Sequence, residues 1–144
     1  MASGSRCGSV DGTDMMVRML GRSIKPGKAE GIALVSPDPI GFLGGVDPET
    51  GVVIEPGHGL QGECITGRVL VFPTGKGSTV GSYTLYRMAK SGTAPAAIIN
   101  SESEAIVAVG AIIADIPMVD HVDISQIETG DRVQIDGALV LVAR

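Results

Sequence analysis

Apolar positions along the chain fall into short runs broken by glycine and proline rather than into long helical stripes. Lys28 to Ser36 alternates and predicts a strand that Pro37 and Pro39 stop. Ile40 to Val46 is apolar, Asp47 to Gly51 (DPETG) predicts a tight turn, and Val52 to Glu55 predicts a returning strand. Pro56 to Gly62 reads as a loop. Ile65 to Phe72 is a nearly continuous apolar run, the pattern of a strand buried on both faces. Pro73 ends it, and a glycine loop leads into a helix from Ser78 or Thr79 to about Ser91, with Ser78 as N-cap and Gly92 as C-terminal stop. Ala94 to Asn100 predicts a further buried strand. Ser103 and Glu104 cap a short helix from Ala105 to Ala114, and Ile116 to Val119 follows as strand or turn. Gly130 to Ile135 and Ala138 to Val142 flank an Asp136-Gly137 turn and predict a terminal hairpin. The first dozen residues are small and polar and are expected to be loose, with a short apolar patch at Met15 to Leu20. The pattern is that of one strand-rich α/β domain over residues 15–144, after a flexible tail at 1–14, with roughly eight strands and two or three helices.

Composition narrows what fills that domain. Hydrophobic residues make up 44% of the 144 positions but aromatics only 3%, so the core is aliphatic. The 21 glycines lie singly and in pairs between apolar runs, as turn residues do. A net charge of −5 and scattered Lys and Arg argue against nucleic acid and against an anionic membrane surface. The longest apolar stretch, Ala105 to Ile113, is too short to span a bilayer. The N-terminal segment lacks the basic-then-apolar order of an export signal, which predicts a cytoplasmic protein. Cys7 and Cys64 are far apart and form no CxxC motif. Two thiols are too few to hold an iron–sulfur cluster, so the chain is expected to bind no metal of its own.

The segment Pro73 to Ser82 (PTGKGSTVGS) concentrates the candidate chemistry. It joins a buried strand to a helix through glycines, which points backbone N–H groups at one spot. It is not a P-loop, because Gly77 follows Lys76 where Ser or Thr is required. It is not a dinucleotide fingerprint either, because Val80 stands where a third glycine would be. Ser78 is left as a hydroxyl at a helix entrance, readable as a plain cap or as a group held where an alkoxide is stabilised. Lys76 reads equally as a solvated loop cation. His58 and His121 are not at metal-ligand spacing. A triad of Ser78, either histidine, and Asp120 or Asp123 lacks the elbow motif that usually presents such a serine. Asp47 and Glu49 read as turn formers, while Asp38 and Asp115 border apolar runs and are candidates for a shared site.

Four blocks in order, Gly41–Gly51 (GFLGGVDPETG), Leu60–Ser82 (LQGECITGRVLVFPTGKGSTVGS), Ala94–Asn100 (APAAIIN) and Ala105–Asp120 (AIVAVGAIIADIPMVD), resemble the small subunit of the aconitase X family. The resemblance implies a swivelling β/β/α domain docked on a large subunit that carries a [4Fe–4S] cluster. It implies dehydration of mevalonate 5-phosphate, a small phosphorylated hydroxy acid, to trans-anhydromevalonate 5-phosphate. An iron of the partner's cluster would act there as Lewis acid on the leaving hydroxyl. It further implies that Ser78 is the catalytic base, with Gly75, Lys76, Gly77 and Thr79 around the substrate. Val80 stands where aconitases carry a carboxylate-holding arginine, which shifts that role elsewhere. Relatives acting on another hydroxy acid, such as cis-3-hydroxy-L-proline, share the loop, so the loop does not select the substrate. A non-catalytic swivel module and a stand-alone hydrolase are the readings from other classes.

Overall fold

The computed structural model describes residues 16–42, 44–75 and 79–143, with residues 79–81 described in their backbone alone. The expected loose tail and Cys7 lie outside the described residues. In chain order come β1 (Met16–Leu20), β2 (Arg22–Lys25), β3 (Lys28–Val35), β4 (Val69–Phe72), α1 (Thr79–Ser91), β5 (Ala97–Asn100), α2 (Ala105–Ala114), β6 (Met118–Asp120), a 3-10 turn (Ile124–Gln126), β7 (Arg132–Asp136) and β8 (Leu139–Ala143).

Hydrogen bonding orders the strands β1-β8-β7-β3-β4-β5-β6-β2. Strands β3 to β6 are parallel and step steadily in one direction. Right-handed crossovers taken in one direction carry every connection over the same face. Accordingly Leu34, Leu70, Phe72, Ile98 and Met118 pack on that face against Leu85 and Met88 of α1, Val107 and Ala111 of α2, and Phe42, Val46, Val53, Leu60 and Ile65 of the long β3–β4 connection. The pleat sends Ala33, Val69, Val71, Ala97, Ile99 and Val119 to the opposite face. There they meet Val133 and Ile135 of β7 and Val140 and Val142 of β8. The result is a three-layer β/β/α arrangement with two cores. Strands β4 and β5 are buried at every position, whereas β7 buries only alternate residues, as the continuous and the alternating runs require.

Two corners join the layers. Strand β3 pairs antiparallel with β7 over Lys28–Ile32 and parallel with β4 over Ala33–Val35, so it belongs to both sheets. The other corner is Gly21, which separates β1, paired to β8, from β2, paired to β6. The two end strands of the order are thus consecutive in sequence, and the layers close on themselves. A Cβ on Gly21 would lie 2.4 Å from the Asp120 carbonyl oxygen and 2.7 Å from Val119 Cγ1, closer than any real contact.

Both helices lie where the sequence places them, but several strands differ. The strand expected from Ile65 begins only at Val69, because Gly67 turns the chain with φ +68° and Ile65 packs on the helix side instead. The expected strand Ala94 to Asn100 likewise starts at Ala97. The described residues of the apolar segments at 40–46 and 52–55 make isolated bridges rather than strands, and Ile40, Phe42, Val46 and Val53 serve as a plug over the sheet. The terminal hairpin turns one residue later than expected: Asp136 pairs with Leu139, leaving Gly137-Ala138 as the loop. Strand β2 (RSIK) has no strand pattern of its own and exists through its pairing with β6. Substituting Gly21→Ala is expected to destabilise the domain by about 1–3 kcal/mol or more, because the colliding atom is backbone that cannot step aside. Denaturant unfolding of the two proteins measures it.

Candidate functional site

Because β3, β4, β5 and β6 point the same way, the segments that leave them gather at one edge of the sheet, the usual place for a site in a parallel sheet. The segment leaving β3 is fixed by short polar contacts. The buried Ser36 hydroxyl donates to Asp38 O (2.8 Å) and accepts from Asp38 N–H (3.0 Å). Asp38 Oδ2 accepts from Gly59 N–H (3.1 Å). His58 Nδ1 accepts from Leu60 N–H (3.0 Å), so its proton resides on Nε2, which faces Pro39 O at 3.1 Å. His58 therefore ties two loops together with both ring nitrogens spent.

The segment leaving β4 is the head of the PTGKGSTVGS loop. Pro73 O accepts from Ser101 N–H and Glu102 N–H, each at 3.1 Å, which binds this segment to the one leaving β5. Gly75 is buried and bridges to Ile40. Its glycine identity follows from α2: a Cβ would stand 2.5 Å from Val107 Cγ2 and 3.5 Å from Glu104 Cβ. Lys76, Gly77 and Ser78 lie outside the described residues. Thr79 opens α1, and only its backbone is described.

The two helix entrances differ. Glu104 caps α2, accepting from Ile106 N–H and Val107 N–H at 3.0 Å each, so that helix N-terminus is already filled by a carboxylate. The first turn of α1 carries no acidic residue.

At the far side of the edge, buried Asp120 receives Arg22 through both oxygens, Nε–Oδ1 at 2.9 Å and Nη2–Oδ2 at 2.7 Å, and Ser103 N–H at 3.0 Å. Burial pushes this carboxyl up, but the hydrogen bonds from Arg22 and Ser103 and the nearby guanidinium charge outweigh it and hold the pKa at about 2. His121 Nε2 lies 2.9 Å from Glu102 Oε1 and 3.9 Å from Asp120 Oδ2. Glu102, Asp120 and His121 could converge on a cation by distance alone. Asp120 is already neutralised by Arg22, however, so the cluster is a hydrogen-bonded network around an occupied carboxylate. His58 and Asp120, two of the four groups considered as triad partners of Ser78, are thus held in contacts of their own.

Other candidates resolve plainly. Asp47 is a turn former, its Oδ1 accepting from Glu49 N–H at 2.9 Å. Asp115 ends α2 with φ 60° and pairs with Lys25 at 2.8 Å, at the opposite end of that helix from the site edge, so it does not share a site with Asp38. Cys64 is exposed with its thiol towards Thr50 O (3.6 Å). A lone exposed thiol does not fit an iron–sulfur cluster, and the described residues offer no cluster site. Sequence reasoning missed the Arg22–Asp120 pair and the buried Asn100. Only the polar residue ending an otherwise apolar AIIN strand signalled the latter.

Residues 18–142 match the family model of the aconitase X swivel domain, and the chain belongs to that family. Among its relatives, the phosphomevalonate dehydratase small subunit of Pyrococcus furiosus is 57% identical over 84% of this chain and 90% of its own. That of Methanosarcina acetivorans is also 57% identical, over 85% of this chain and 87% of its own. The crystal structure of Thermococcus kodakaraensis aconitase X in its holo-form superposes with a TM-score of 0.86 at 52% identity, covering 89% of this chain and 99% of that one. The strand-rich α/β class expected from the sequence is the one this neighbour shares. Among the described residues no helix is long and apolar enough to cross a membrane.

Asp120 makes the fold sensitive to acid. Its pKa is lower folded than its ordinary 3.8, so its contribution is complete above about pH 4 and lost as pH falls towards about 2. The loss is expected to be on the order of 1–2 kcal/mol, allowing for solvent screening at half-exposed Arg22. Asp120→Asn is expected to flatten stability-against-pH curves in that window, which acid titration of the unfolding midpoint measures.

Proposed function

We propose that this chain is the small subunit of a two-subunit hydro-lyase that dehydrates mevalonate 5-phosphate to trans-anhydromevalonate 5-phosphate, and that it supplies the base, Ser78. The observation that carries this reading is the near-full-length match to two phosphomevalonate dehydratase small subunits. The [4Fe–4S] cluster belongs to the large subunit in this reading, since the two cysteines of this sequence are too few to hold it.

The reaction takes a proton from the carbon beside the carboxylate. The electron pair of that C–H bond becomes the new double bond as hydroxide leaves the neighbouring carbon. Ser78, as alkoxide, accepts the proton and becomes a neutral hydroxyl. A serine hydroxyl is too weak an acid to be an alkoxide in neutral water, so the site must stabilise the anion and exclude water. The entrance of α1 suits that task in this reading because the sequence places a serine at its cap position and no acidic residue in its first turn, whereas α2 is capped by the Glu104 carboxylate. In this reading Gly75, Lys76, Gly77 and Thr79 line the substrate, with Lys76 meeting one of its anionic groups. The carboxylate contact that Val80 does not provide is assigned to the partner.

In the complex of both subunits, Ser78→Ala is expected to lower kcat by about 10²–10⁴-fold with KM little changed and assembly intact. A steady-state dehydration assay on mevalonate 5-phosphate checks this, and turnover within a few-fold of the parent would reduce Ser78 to a helix cap. The small subunit assayed alone is expected to show no dehydration.

A further inference from the structure

Asn100 ends β5 opposite Phe72, the last residue of β4, and is fully buried. Alternation along β5 puts it on the face of Ile98, the helix side, at the edge where the β4 segment departs. Its Nδ2 donates to Phe72 O at 3.0 Å and to Ile99 O at 3.2 Å. These two donations fix which end of the amide is oxygen. That oxygen, Oδ1, is buried without a hydrogen-bond partner, one of two such side-chain atoms among the described residues. An orphaned amide oxygen in a dry core works against folding. An aliphatic residue would fill the same strand position without that penalty, as Ile98 and Ile99 do. The amide is therefore present for what its N–H groups hold, and what they hold is the last carbonyl of β4. One residue on, Pro73 O is gripped by Ser101 and Glu102 N–H, so three donors from the end of β5 and just beyond it fix the point where the chain leaves for Gly75 and the serine.

We propose that Asn100 is a positioning residue of the dehydratase site, setting through Phe72 and Pro73 the origin of the segment that carries Ser78. The proposal rests on Ser78 being the base. A small misplacement of a base costs turnover far more than it costs binding, because proton transfer depends steeply on geometry. Removing Asn100 should thus separate activity from stability. The loss of a buried orphan oxygen and the gain of apolar contact offset the loss of the Nδ2 bonds.

The test uses the assembled two-subunit enzyme with mevalonate 5-phosphate. Asn100→Leu is expected to lower kcat at least ten-fold, with KM within about two-fold and the thermal midpoint near that of the parent. Asn100→Asp keeps the shape. Its protonated carboxyl can donate to Phe72 O, whereas its ionised form repels that carbonyl. Its kcat is therefore expected to recover as pH falls through the new carboxyl's pKa, a limb the parent lacks. Unchanged kcat in Asn100→Leu overturns the proposal, and so does a loss of kcat that merely tracks a lowered midpoint or failed assembly. Should Asn100→Leu not fold, the pH profile of Asn100→Asp decides alone, and a flat profile overturns the proposal. Full turnover in Ser78→Ala would instead sink the parent reading.

Discussion

Everything in this domain follows from burying both faces of a short parallel sheet. Strands β4 and β5 expose no residue to water, so neither face can be left uncovered. The crossovers of a sheet that steps in one direction cover only one face. The other must be covered by separate strands, and the chain uses β7 and β8, whose alternate residues supply the second core. Closing those layers requires the chain to pass between them at two points. At one of these, Gly21, no side chain fits.

The same constraint creates the site edge. Four parallel strands deliver four connecting segments to one side, and those segments need their polar backbone satisfied where the sheet stops. Ser36, His58, Asn100, Glu104 and Asp120 do this, each through hydrogen bonds to backbone N–H or C=O groups. They leave the edge rigid and nearly all its described polar groups spent, with Asn100 Oδ1 the exception. An edge whose described residues offer no cluster site suits a subunit that brings its base to a site completed by another, in keeping with the reading proposed above.

Electrostatics at this edge are decided by pairing rather than by burial. Desolvation alone would favour a neutral Asp120, yet the two-point contact from Arg22 and the Ser103 amide prevail and keep it ionised. Through that ion pair β2, which has little strand character, is held to β6.

Residue order alone determined the class of the domain, the two helices, the doubly buried strands, the terminal hairpin and the family. Each of these depends on local periodicity, on caps and on motif order, all of which are written along the chain. Only the tertiary structure decided the rest. The apolar runs at 40–46 and 52–55 look like strands, because a plug over a sheet needs the same residues as a strand within it. Strand β2 is invisible in its own residues because its stability comes from Asp120, far away in sequence. Gly75 appeared to belong to an anion-binding loop, but its lack of a side chain is dictated by Val107 of α2. Asn100 looked like the end of an apolar strand until the Phe72 carbonyl was placed beside it. In each case the deciding partner lies on another element, and no pattern within a local stretch of sequence can report it.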